Sequence, residues 1–308
     1  MIEKEISVQT GDVRLVGTLC LPGHGGGFPT ALLIQGSGPL DRNSNSAGQA
    51  LNITNALAHR LAQCGIASLR VDKRGVGSSD GSFLSAGLST FVDDGLHWLQ
   101  VLSHSSDTDS ERLFIIGHSE GALIAPQLSE QFPKLAGIVL LCPSIEEPSS
   151  LLLRQAEVWR ASLRRQSWFR RPLEKLVALF FDPVKAQQKL VAQTPAGIQV
   201  SSRFWRSKLP LTWLQEYLAL DPPELFRRSR CRTLALGAGN DFQCVAEDVY
   251  AIGEVVGGEY ECHVFEKMTH ILRNDESNAG LFGYAAQCRQ PIVPEVTERI
   301  AAWIFKGV

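Results

Sequence analysis

Two periods organise the apolar and polar positions of this chain. Residues 3–9 and 13–21 alternate apolar with polar on either side of Thr10-Gly11-Asp12, which predicts a hairpin at a sheet edge. Short, mostly apolar runs follow at Ala31 to Ile34, Ile66 to Val71, Leu113 to Ile116, Ala136 to Cys142, Thr233 to Leu236 and Tyr260 to Phe265. Runs of this kind read as strands buried on both faces. Helical spacing lies between them. It covers 51–63, stopped by Cys64-Gly65, and 90–103, with Phe91, Leu96, Leu99 and Leu102 on or near one face. It also covers 119–131, with Pro126 inside, and 294–306, with Val296, Ile300, Trp303 and Ile304. Strands alternating with helices predict an α/β fold with a mostly parallel sheet covered on both faces. In such sheets function gathers at the carboxyl ends of the strands, here the loops after residues 34, 71, 116 and 142.

The alternation stops near residue 145. From Leu151 to about Leu218 the pattern is helical, with Leu152, Ala156, Trp159 and Leu163 at one spacing and a second helix from Leu173 to Phe181. The expected organisation is therefore a core of residues 1–144 and 231–308 with a helical cap, 145–230, inserted into it. Arg154, Arg160, Arg164, Arg165, Arg170 and Arg171 could mark a membrane-surface helix or an anion funnel. A solvated helix face is the preferred reading. Trp205, Trp213 and Phe180 either line an apolar acyl pocket or fill the core of the cap.

Composition narrows the classes. The 308 residues are 44% hydrophobic and 20% charged, with a net charge of -2. Nothing there attracts nucleic acid, and no run approaches the ~18 apolar residues of a membrane span. Met1-Ile2-Glu3-Lys4 lacks the basic start and apolar stretch of a signal peptide, so a cytoplasmic location is expected. The seven cysteines form no Cys-x-x-Cys pair and read as free thiols, with no metal or other cofactor expected. Gly36-Ser37-Gly38 lacks the Lys-Ser/Thr ending of a phosphate loop. The expected partner is a small acyl substrate, and homo-oligomerisation is left open.

Chemistry enters with Gly117-His118-Ser119-Glu120-Gly121, which stands between an apolar strand and a small-residue helix. Strand, Gly-x-Ser-x-Gly turn and helix make the nucleophile elbow of a serine hydrolase. Serine needs a base, and the base needs an orienting carboxylate. In that layout acid and base follow the serine in order. Two histidines follow Ser119. His263 lies inside a strand, and His270 lies just past its end, so His270 is the expected base. Asp241, in the glycine-rich turn after Leu236, is the expected acid. Asp248 and Glu247 read as solvated helix charges, and Asp221 as a turn former. The oxyanion donors would be the Glu120 N–H and the N–H of Ser37 or Gly36. His118 reads as packing against the sheet. Glu120 reads as a structural ion pair with Arg42 or Arg74, and Asp72 with Arg74 as a buried pair beneath the site.

Three motifs then line up: Gly36-Ser37-Gly38-Pro39-x-Asp41-Arg42-Asn43, Asp72-x-Arg74-Gly75-Val76-Gly77-x-Ser79 and the elbow. With the stretches Tyr217 to Pro222 and Leu236 to Asp241, they resemble the α/β-hydrolase superfamily over nearly the whole chain. The closer resemblance is to its esterase and serine-aminopeptidase-like group. It implies a carboxylesterase-like serine hydrolase, with some relatives acting on amides or thioesters. Gln35 stands where many such enzymes have histidine, and Met268-Thr269-His270 replaces a commoner Asn-His ending. An aminopeptidase, a thioesterase, a carbon–carbon bond hydrolase or a non-catalytic receptor would share the same fold.

Overall fold

A computed structural model describes residues 1–165, 183–193, 210–275 and 283–306. Eight strands form the main sheet: β1 (Ile2–Thr10), β2 (Val13–Leu21), β3 (Phe28–Ile34), β4 (Ala67–Val71), β5 (Thr108–His118), β6 (Gly137–Leu141), β7 (Thr233–Ala238) and β8 (Tyr260–Phe265). Their order is β1-β2-β4-β3-β5-β6-β7-β8. β2 pairs antiparallel with β1 and with β4. The remaining neighbours are parallel. Asn45–Ser46 and Gln49–Ala50 form a separate two-stranded ribbon beyond β3.

The helices in chain order are α1 (Ile53–Gln63), α2 (Leu88–Ser103), α3 (Gly121–Gln131), α4 (Pro148–Arg165), α5 (Pro183–Gln193), α6 (Leu211–Leu218), α7 (Pro222–Arg228), α8 (Asp248–Val255), α9 (Tyr284–Gln287) and α10 (Pro294–Lys306). Both faces of the central strands are buried. Leu113 and Ile115 of β5 face a cluster that holds Leu99 of α2, Ile124 of α3 and Ile252 of α8. Phe114 and Ile116 face the opposite cluster, which holds Leu57 of α1 and Ile300 of α10. Strand residues with a period of 2 can serve two cores only when both positions are apolar, which is why these strands read as unbroken apolar runs. Each such side chain contributes roughly 2 kcal/mol by leaving water.

The expected elements form, with shifted edges. The helix expected at 119 starts at Gly121, because Ser119 has φ 56 and cannot belong to a right-handed helix. α1 likewise starts at Ile53, after Asn52 at φ 52. β5 starts at Thr108, ahead of its apolar run, and an irregularity in its pairing with β3 absorbs the extra length. α3 runs through Pro126. Between β6 and β7 the described residues contain helices α4 to α7 and no strand. The helix expected at 173–181 lies outside the described residues. Among those described, no helix is long and apolar enough to cross a membrane.

Candidate active site

Ser119 sits where β5 turns into α3, with the left-handed φ that the turn demands. Its N–H donates to Leu141 O of β6 at 2.9 Å, so the turn is bonded to the neighbouring strand. The flanking glycines answer to contact rather than to flexibility. A Cβ at Gly117 would lie 2.1 Å from Gly121 O, and one at Gly121 would lie 2.3 Å from Ile34 O. Gly36, just past β3, packs against the serine: a Cβ there would lie 3.3 Å from Ser119 Cβ.

His270 and Asp241 come from the loops after β8 and β7. His270 Nδ1 lies 2.6 Å from Asp241 Oδ2, and both side chains are buried. A carboxylate can only accept, so Nδ1 carries the proton and Nε2 is left as the basic nitrogen. The second Asp241 oxygen accepts the N–H groups of Gln243 at 2.7 Å and Cys244 at 3.1 Å. The aspartate is therefore fixed in orientation before it meets the imidazole. The His270 loop closes on itself through Thr269 N–H to Arg273 O at 2.8 Å. Thr269 Oγ1 also bonds Gln287 Oε1 at 2.9 Å, which ties the loop to α9. Gln287 thus braces the histidine loop.

His118 links the two halves. Its ring packs 4.9 Å from that of His270, and its Nε2 lies 2.8 Å from His270 O. A carbonyl accepts, so Nε2 donates. Burial pushes this imidazole down to about 3, and the nearby His270 adds to the shift. It stays neutral and its Nδ1 has no hydrogen-bond partner. The structure therefore brings Ser119 and Glu120 to Gly36 and Ser37, brings Asp241 to His270, and joins the two sets through His118.

Three charge assignments change. Glu120 pairs with Lys73, not with Arg42 or Arg74: the ions lie 2.8 Å apart. Asp72 pairs with Arg42 at 2.7 Å, and Arg74 with Asp94 at 2.6 Å. Asp72, Lys73 and Arg74 are consecutive, and each takes its partner from a different loop or helix. Adjacent positions past a strand end point to opposite sides, so Lys73 reaches the serine side and its neighbours do not. Asp248 is not a solvated helix charge either. It accepts from Ser144 Oγ at 2.7 Å and Ile145 N–H at 3.2 Å, and burial pushes its carboxyl up. Asp221 is a helix cap, accepting Glu224 N–H at the start of α7. Gln35 is buried, and its side-chain NH₂ donates to Val71 O and Asp41 O, joining the ends of β3 and β4.

A pocket opens over Ser119. The core lines it with Ser37, Ser119, Glu120 and Leu123, and helix α4 with Leu151, Leu152 and Gln155. Trp213 and Tyr217 of α6 add stacked rings 5.0 Å apart. Ser144, Gln243 and Cys244 complete the wall. Trp205 and Phe180 lie outside the described residues, as do Arg170 and Arg171. Arg154 is paired with Glu146 at 2.8 Å and donates to Gln243 O.

Sequence reasoning passed over Lys73 and Gln243, while Trp213, weighed there as a pocket or cap-core residue, lines the pocket. Lys73 carried a signal: a lysine next to a buried strand end is poorly placed for solvent. Gln243 carried none.

All seven cysteines are free thiols. Two groups, His118–Cys142–His270 and Asp241–Cys244–His270, bring donor atoms within 4.8 Å of one another. Both use His270, which Asp241 already holds, and burial keeps both thiols far from the thiolate form. Neither group makes a metal site separate from the histidine.

Residues 47–277 match the model of the family described as Serine aminopeptidase, S33, and the chain belongs to that family. The chain is 24% identical over 318 residues to esterase EstD of Thermotoga maritima, a match spanning 99% of this chain and 68% of EstD. Among solved structures it is similar to DcsB in complex with a substrate analogue, with a TM-score of 0.65 at 15% identity over 100% of both chains. It is also similar to Est1E of Butyrivibrio proteoclasticus with ferulic acid bound, with a TM-score of 0.64 at 15% identity over 98% of each chain. The structural likenesses carry the fold, which is that of the α/β hydrolases. With the family match and EstD, they place the chain among esterase-like hydrolases.

Proposed function

We propose that this chain, a hydrolase by family, cleaves carboxylic esters by acyl transfer through Ser119, His270 and Asp241. The observation that carries the reading is the His270–Asp241 bond, delivered from two strand ends to an imidazole packed on the neighbour of an elbow serine. His270 Nε2 takes the Ser119 Oγ proton as the oxygen attacks the acyl carbon. The N–H groups of Glu120 and of the Gly36–Ser37 loop hold the oxyanion. His270 passes its proton to the leaving alcohol. Water then attacks the acyl-enzyme with His270 again as base, releasing the acid. Asp241 holds the imidazole in its working tautomer throughout.

Ester is favoured over an amino-terminal peptide for an electrostatic reason. An aminopeptidase needs a free carboxylate to receive the substrate ammonium. Among the described lining residues the one carboxylate is Glu120, and it is already neutralised by Lys73. The helices between β6 and β7 act as the cap that selects the acyl group.

Ser119→Ala is expected to lower turnover of p-nitrophenyl acetate on the order of 10⁴-fold or more. Hydrolysis at the parent rate in that variant would overturn the assignment. A fluorophosphonate probe should label the parent rapidly and the variant not at all. An idle receptor would label slowly or not at all even in the parent.

A further inference from the structure

Lys73 lies two residues past β4, yet its side chain is 5% exposed and that of its partner Glu120 is 2% exposed. An ammonium has three donors and no acceptor. One goes to Glu120 Oε1 at 2.8 Å and one to Gly36 O at 2.7 Å. The charge also lies 4.8 Å from the centre of the Phe91 ring. The bond to Gly36 O is the informative one. Gly36 O and the Ser37 N–H belong to the same peptide plane, and no cis peptide bond occurs among the described residues. In a trans peptide the carbonyl and the N–H point in opposite directions. Lys73 therefore fixes which way the Ser37 N–H points, while Gly36 itself is packed against Ser119.

We propose that Lys73 is a positioning residue for acyl transfer: it clamps the Gly36–Ser37 peptide so that the Ser37 N–H, rather than that of Gly36, is the second oxyanion donor. The proposal rests on Ser119 being the nucleophile. Lys73 acts on both sides of the oxyanion. Through Gly36 O it aims and polarises the Ser37 N–H, because an ammonium on a carbonyl strengthens the donor of the same amide. Through Glu120 it cancels a carboxylate whose own backbone N–H is the first donor. Without that cancellation a buried negative charge would sit one residue from where the transition state develops another. Trp213 Nε1 donates to the remaining Glu120 oxygen at 2.5 Å, so the whole carboxylate is spoken for.

The test compares Glu120→Gln with the double variant Lys73→Met/Glu120→Gln. Removing Lys73 alone would strand a buried carboxylate, whereas Glu120→Gln keeps acceptors for the Lys73 ammonium in Gly36 O and the glutamine oxygen, and the double variant removes both charges together; the melting temperatures of both variants are read beside kcat. Active sites are counted by the fluorophosphonate burst, and kcat and KM are expressed per active site. Relative to Glu120→Gln, the double variant is expected to lose about 10- to 100-fold in kcat, somewhat less than deleting a donor outright, with KM changed less than about threefold. Inhibition by a trifluoromethyl ketone, which forms a tetrahedral adduct on the serine, should weaken by the same factor. A kcat within about threefold of Glu120→Gln, or an unchanged ketone affinity, overturns the proposal. A lower melting temperature with unchanged kcat per site does so too, since it assigns Lys73 to stability alone. Ser119→Ala separates the two failures. If that variant keeps the parent rate, the nucleophile falls and Lys73's role falls with it. If it is dead and the double variant is not, only Lys73 is refuted.

Discussion

The pocket over Ser119 has two walls, built differently. On the sheet side, site residues are fixed by main-chain bonds: Ser119 N–H on Leu141 O, Asp241 on two backbone N–H groups, the His270 loop on itself. On the side of the helices between β6 and β7, long side chains make the contacts. Trp213 reaches Glu120, and Gln155 and Arg154 reach Gln243 O. Main-chain geometry set by strands tolerates little displacement. Side-chain contacts can be exchanged one at a time. The sheet wall is thus suited to fixing the chemistry and the helical wall to choosing what is bound. Changes in the first should appear in kcat, and changes in the second in KM.

The largest effect that would test this division is Asp241→Asn. An asparagine in the same nest can present its NH₂ to Nδ1 and hold the imidazole in the wrong tautomer. Turnover of p-nitrophenyl acetate per active site is expected to fall on the order of 10³- to 10⁴-fold, with KM little changed. A loss under tenfold would mean that Asp241 is not the working acid. Asp248, a half-buried carboxylate of the same segment, would then be next to replace, although its bonds to Ser144 and Ile145 direct it elsewhere.

The same division explains what could be read from the sequence. β6 and the apolar part of β5 were legible because Leu113 to Ile116 and Ile138 to Leu141 face one or other of two cores, and Ser119 because the turn beside them excludes side chains at Gly117 and Gly121. Asp241 and His270 followed from strand ends and chain order. The ion pairs were not legible. Asp72-Lys73-Arg74 offers three charges in a row, and nothing local shows that they diverge to Arg42, Glu120 and Asp94. Those partners lie 30, 47 and 20 residues away in sequence, so the pairing is decided by the packed fold. The polar wall of the pocket, Ser144, Gln155 and Gln243, was illegible for the same reason.

A middle-sized effect probes the rigidity of the sheet wall through pH. His118 is buried neutral with its pKa pushed down to about 3, against about 6.5 when unfolded. Below pH 6.5 the unfolded chain takes up a proton that the folded chain refuses. Stability contributed at this site is therefore intact above pH 6.5 and falls as pH drops from there toward 3, by about 1.4 kcal/mol per unit. His118→Gln keeps a donor toward His270 O and removes the titration. Between pH 6.5 and 5 the parent should lose about 2 kcal/mol more than the variant, read as the shift in urea unfolding free energy. Parallel pH profiles would mean that the unfolded state does not gain that proton, or that the folded state accepts it.

The smallest effect bears most directly on the helical wall. Trp213→Phe keeps the ring stacked near Tyr217 but removes the donor to Glu120 Oε2. Losing one hydrogen bond to a carboxylate that still has Lys73 should cost about 1 kcal/mol, roughly a fivefold change in an equilibrium constant. If the helical wall only selects, that change falls on KM for a bulky ester, and kcat on p-nitrophenyl acetate stays within about threefold. A matching fall in kcat would mean something else. The wall would then act through Glu120 and Lys73 on the Gly36–Ser37 peptide, so that binding and oxyanion geometry are set by one network rather than by two separate walls.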